Sequence, residues 1–176
     1  MRNNTRRLTA LSLTVSFALI LSFIESRIPA FVAIPGIKVG LANIAIIFTL
    51  YKFGIGEAIA VSLVRVCLMA TLFGSPMSFF YSLAGATLSL TVMLLCKKLT
   101  PLTEVTVSVS GAVMHNIGQI IMASILLGTN VVMYYLPFLL LSGTIAGIAV
   151  GIASGLLIKK VTLDLSYVKG QRGKKK

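Results

Sequence analysis

Acidic residues are scarce in this chain. Four of 176 residues are Asp or Glu, against 16 Lys and Arg, and Asp164 is the only aspartate. There is one histidine, and the two cysteines form no CxxC pair. A protein-held metal centre is therefore not expected. Cys67 lies inside an apolar segment and Cys96 at the end of another, which does not suggest a disulfide. Charged residues make up 11% of the chain, whereas a soluble domain carries about a quarter. No GxxxxGK[ST] motif occurs, so the chain does not power transport by itself.

What the chain has is apolar sequence. The hydrophobic fraction is 57% and mean hydropathy is +0.99. This fits one integral membrane domain, with no room for a separate soluble catalytic domain. The net charge of +12 could suggest nucleic acid as a partner, but the basic residues cluster at segment ends and in the C-terminal tail. That placement orients a membrane protein, so the expected surroundings are lipid bilayer and not nucleic acid.

Six apolar segments stand out, at about residues 8–25, 39–52, 55–73, 77–96, 103–127 and 131–158. They predict an all-α integral membrane protein with six transmembrane helices. Spanning takes about 20 residues, so the second segment is expected to be tilted, broken or completed by its flank. The breaks carry helix-stopping residues: Pro29, Pro35 and Gly36, then Gly54 and Gly56, then Gly74-Ser75-Pro76, Thr100-Pro101 and Gly128-Thr129-Asn130. Arg2 to Arg7 followed by an apolar run resembles a signal peptide. The run from Leu8 to Ile24 is too long for most such regions and no convincing small-x-small site follows, so it reads as a retained helix. With six spans, thirteen Lys and Arg share one side of the membrane, and only Arg27 and Lys38 reach the other. Both termini are then expected to be cytoplasmic. The domain plan is a cytoplasmic N-terminus at 1–7, a membrane domain at 8–160 and a basic tail at 161–176. The tail serves as a topology anchor or touches anionic lipid.

Ser26 to Gly40 is the longest external loop, and its Pro29, Pro35, Gly36, Phe31, Val32 and Ile34 suit either a semi-rigid lid or a plain connector. The sixth segment carries Gly143, Gly147, Gly151 and Gly155, spaced for close approach of another helix, internal or external. The first segment has a weaker ladder, Ala10, Thr14, Ala18 and Ser22.

Two places put polar groups where hydrocarbon is expected. Arg65 lies half-way along the third segment, with no acid at its depth: Glu57 is two turns away and Glu25 and Glu104 fall near membrane ends. Such an arginine pairs either with structural groups or with an anionic ligand. On the fifth segment His115 and Gln119 share a helix face, with Asn116 adjacent. They suit either ligand recognition or interhelical hydrogen bonding. Without a nearby acid or nucleophile His115 is not part of a catalytic triad. The paired aspartate-rich runs on which a prenyl synthase holds magnesium and diphosphate are missing. Catalysis by this chain alone is not expected, nor is a cofactor.

Three stretches carry a family resemblance. Pro35-Gly36-Ile37-Lys38-Val39-Gly40-Leu41-Ala42-Asn43-Ile44 resembles the PGIKxGLANI signature of the Gx transporter family. Gly111-Ala112-Val113-Met114-His115-Asn116-Ile117-Gly118-Gln119 resembles its GAxxHNxGQ motif, and Ser82 to Ser89 its SLxGxxxS stretch. The likeness covers roughly residues 8–160. Members often carry the name heptaprenyl diphosphate synthase component I, and are grouped with the S components of energy-coupling factor importers. The resemblance implies an S-component-like bundle that captures a small vitamin-like molecule outside, closes its first loop and topples in the membrane. Its partners would be a transmembrane coupling subunit and two cytoplasmic ATPases. The AxxxA through which S components dock matches Ala10 and Thr14, where threonine, still a small residue, replaces the second alanine. Lys38 and Arg65 favour an anionic substrate, flavin- or isoprenoid-related. Lys38, Asn43, Arg65, His115, Asn116 and Gln119 are the candidate substrate-binding residues, with Arg65 and His115 at similar depth and expected to line one cavity. The other readings are a membrane accessory subunit of heptaprenyl diphosphate synthesis and a helical packing partner with no ligand.

Overall fold

A computed structural model of the chain describes residues 2–27, 40–99 and 102–161. Lys38, most of the first loop and the basic tail lie outside the described residues. The elements are α1 (Arg2–Arg27), α2 (Asn43–Lys52), α3 (Ile55–Phe73), α4 (Pro76–Leu99), α5 (Glu104–Leu127), a 3-10 turn (Val131–Tyr135) and α6 (Leu136–Lys160). The described residues contain no strand, as expected of an all-α membrane fold. Five helices are long and apolar enough to cross a membrane, and α2 is the short apolar exception.

The second segment resolves into a half-length helix. Ten residues rise ~15 Å, half of a ~30 Å hydrocarbon core. Gly40, at φ +96°, makes the turn into it, and the amides of Asn43, Ile44 and Ala45 bond back to Gly40, Leu41 and Ala42 at 2.9–3.1 Å. At the other end the amides of Phe53 and Gly54 both bond to the Thr49 carbonyl, at 2.8 and 3.1 Å. Lys97, in the last turn of α4, donates to the Leu50 carbonyl at 2.6 Å and lies 4.3 Å from the centre of the Tyr51 ring. A cation at a helix C-terminus offsets its unpaired carbonyls. A broken helix is tolerated at membrane depth only where protein surrounds it. α2 meets that condition: Asn43, Ala45, Ile46, Ile47, Thr49 and Leu50 are buried.

Helix direction alternates, and an ion pair between Arg7 and Glu57 ties the start of α1 to the start of α3. One end of the bundle thus holds Arg6, Arg7, Lys52, Lys97, Lys98, Lys159 and Lys160. Among the described residues the opposite end holds Arg27. Ile46, Ile47, Leu50, Met93, Val107 and Val150 form the core nearer the basic end. Leu13, Ile125, Leu141 and Ile145 are exposed, as suits a lipid-facing surface.

The glycine ladder packs inside the molecule, against α5. A Cβ at Gly147 would lie 2.8 Å from the Val109 backbone, and one at Gly151 2.6 Å from that of Val105. Gly155 faces open space. The α1 ladder also turns inward, with Thr14, Ala18 and Ser22 buried and Ala10 half-buried.

Candidate functional site

Arg65, 5% exposed, projects from the middle of α3 toward α1. Its Nη1 donates to Ser22 Oγ at 3.5 Å. One turn further along α1, Glu25 is also 5% exposed. It stands two residues before the end of α1, near the membrane end where it is expected. Glu25 stands three residues after Ser22, so it inherits the buried face of the small-residue ladder. Its Oε1 accepts the Gly40 amide, where the chain turns into α2. Asn43, 5% exposed, adjoins the same turn: a Cβ at Gly40 would lie 3.1 Å from Asn43 Nδ2. Arg65 and Ser22 thus tie α3 to α1, and Glu25 ties α1 to the turn into α2.

The depths agree. Arg65 is ten residues, ~15 Å, beyond Ile55, and Asn43 is one short helix, ~15 Å, from Lys52. Both lie near mid-bundle. The start of a half-helix carries partial positive charge and aims it at anions. Arg65 adds a full charge, and its Nε is buried without a hydrogen-bond partner. Buried donors are nearly always satisfied, so a bare one needs an explanation.

The α5 residues belong to a second polar layer. His115, Asn116 and Gln119 are 3%, 1% and 0% exposed. His115 and Gln119 face α4 at Gly85, where a Cβ would meet Gln119 Cγ at 2.9 Å and the His115 ring at 3.0 Å. Asn116 faces α6 and donates to the Leu139 carbonyl at 2.7 Å. The motif glycines explain themselves by packing. Gly118 sits on the Ala84 backbone, where a Cβ would come within 2.8 Å of the carbonyl oxygen, and Gly111 fits against Met93. These contacts are the interhelical hydrogen bonding and close approach that hold membrane bundles together.

α3 packs on α1, α2 and α4 and not along α5, whereas α5 packs chiefly on α4 and α6. Sequence reasoning missed Ser22 as a neighbour of Arg65 and Glu25 as the acceptor for the Gly40 amide. The i, i+4, i+8, i+11 run Thr14, Ala18, Ser22, Glu25 was the available signal. The docking pair is also placed differently from an outward stripe: Thr14 is 7% exposed and its hydroxyl bonds to the Ala10 carbonyl at 2.8 Å. Ser12 and Ser16, on the same helix, are exposed. No group of three or more metal-ligating side chains occurs among the described residues.

No curated protein and no solved structure matches the chain. The family model described as heptaprenyl diphosphate synthase component I matches residues 14–157, from the Thr14 face of α1 to the last turn of α6, and the chain belongs to that family.

Proposed function

We propose that the chain is the substrate-binding component of a membrane importer, of the energy-coupling factor type, for a small anionic, vitamin-like molecule that is flavin- or isoprenoid-related. The observation that carries this is Arg65: a guanidinium buried at mid-depth, with Nε unpartnered. A planar donor fork of this kind suits a phosphate or carboxylate. The chain has no nucleotide-binding loop, so energy would come from a transmembrane coupling subunit and two cytoplasmic ATPases.

Mass spectrometry of small molecules retained by the purified protein identifies the ligand class. Titration calorimetry with a flavin phosphate and with isopentenyl diphosphate then tests Arg65. Arg65→Ala is expected to weaken binding at least tenfold, about 1.4 kcal/mol. Equal affinity in wild type and variant overturns the assignment.

A second reading is favoured by the family match itself: a membrane accessory subunit of heptaprenyl diphosphate synthesis. It predicts that adding this protein to a soluble prenyl synthase subunit raises the rate or length of chain elongation. The importer reading predicts no change in either.

A further inference from the structure

We propose that the groove between α1 and α3 seats one anionic phospholipid from the leaflet at the basic end, with an acyl chain along the groove and the phosphate on Arg7. This goes beyond the ligand reading of Arg65 and does not depend on it.

Small residues make the groove. Ser12 and Ser16 line it from α1, Gly56 and Ala60 from α3. A Cβ at Gly56 would meet nothing within 4 Å. Ser16 spends its hydroxyl on the Ser12 carbonyl at 3.0 Å, so this wall asks for no polar partner there. Length decides what fits. The α1 wall runs from Leu8 to Leu19, a rise of ~16 Å, about one leaflet of a ~30 Å hydrocarbon core. Beyond Leu19 the seam closes: Arg65 reaches Ser22, and the rings of Phe23 and Phe73 meet at 4.9 Å between centres. A spanning helix would run on past this point, whereas an acyl chain of one leaflet ends there.

Charge sets the headgroup. Glu57 lines the basic end of the groove and holds Arg7 in an ion pair. Glu57 accepts from Arg7 Nη2 and does not saturate the fork: Nε makes no hydrogen bond, and 37% of the side chain is exposed. An arginine carries five N–H donors and pairs with carboxylate and phosphate alike. Arg6, the residue before it, is exposed and adds a second cation. A zwitterionic lipid leaves this positive excess unmatched, and an anionic one matches it. Apolar surface gives helices little drive to associate inside a bilayer, so shape and charge select the occupant. A coupling helix that approaches Ser12 and Ser16 has to displace this lipid.

The test is native mass spectrometry of the full chain, released from detergent micelles doped with equal amounts of phosphatidylglycerol and phosphatidylcholine of the same chain length. Wild type is expected to retain one lipid and to favour phosphatidylglycerol about fivefold or more, the size of effect one interfacial cation supplies. Arg7→Gln/Glu57→Gln removes the fork at constant net charge. It is expected to hold a lipid still, at a ratio near equality. Ala60→Phe fills the groove and is expected to lose most of the bound lipid of either kind. Gly56→Leu narrows the same groove and keeps this arm readable if Ala60→Phe folds poorly. Wild type that retains both lipids equally, or a double variant that keeps the wild-type ratio, overturns the phosphate site. Groove-filled variants that hold as much lipid as wild type overturn the groove as its seat. Wild type that carries no lipid and flies as a dimer gives the groove to a second copy and overturns the lipid assignment.

Discussion

Asn116 Nδ2 donates to the carbonyl oxygen of Leu139 at 2.7 Å, and it reaches that oxygen because Gly143, one turn along α6, has no side chain. A Cβ at Gly143 would collide with the Asn116 amide. The bond joins α5 to α6 at the centre of the bundle, so Asn116 is first a packing residue. Asn116→Ala is expected to cost about 0.5–1.5 kcal/mol of stability, the usual net worth of such a bond. Gly143→Ala is expected to cost more in wild type than in the Asn116→Ala background, because the smaller partner removes the clash. Additive costs in a double-mutant cycle, read from melting in detergent, would show that the two do not touch.

The glycine ladder yields a graded expectation. Gly147 and Gly151 press on the α5 backbone, while Gly155 faces open space. Gly147→Leu and Gly151→Leu should each lose about 1–3 kcal/mol through overpacking, or fail to accumulate. Gly155→Leu should change stability by less than about 0.5 kcal/mol. Equal melting curves for all three would place the ladder on lipid.

Helices were legible in the sequence because apolar runs and Gly or Pro breaks are local signals. Segments near 55–73 and 103–127 became α3 and α5 with nearly the same bounds. The shortness of α2 was legible too, whereas its burial inside the bundle depends on which helices surround it. Partnerships between distant residues were harder to read. Ser22 and Arg65 are 43 residues apart, and no local period relates them. The sequence places Asn116 beside the face that His115 and Gln119 share. Consecutive helical residues differ by ~100° around the axis, and that step is what turns His115 to α4 and Asn116 to α6.

Orientation is an expectation that rests on the distribution of charge. With the basic end of the bundle facing the cytoplasm, a cysteine at Gly170 in a Cys67→Ser, Cys96→Ser background should react with a membrane-impermeant maleimide only after cells are opened. Labelling at the same rate in intact cells would invert the topology, together with the outward capture that the importer reading requires.

The face of α1 that meets a coupling subunit is the last expectation. Thr14 is turned into the bundle, whereas Ser12 and Ser16 are exposed and line a groove of about 610 Å³ between α1 and α3, with Gly56 and Ala60 opposite. Small residues on both walls let a helix approach closely, which is how helices associate where lipid removes the hydrophobic drive. Thr14→Leu is therefore expected to lower melting temperature, as overpacking does. Ser12→Leu and Ser16→Leu should leave the melting curve and ligand binding unchanged and cut coupled uptake in reconstituted vesicles at least tenfold. Uptake that survives both changes, at normal protein levels, would move docking away from this groove. Thr14→Leu that blocks uptake without loss of stability would instead restore the Ala10 and Thr14 pair as the contact.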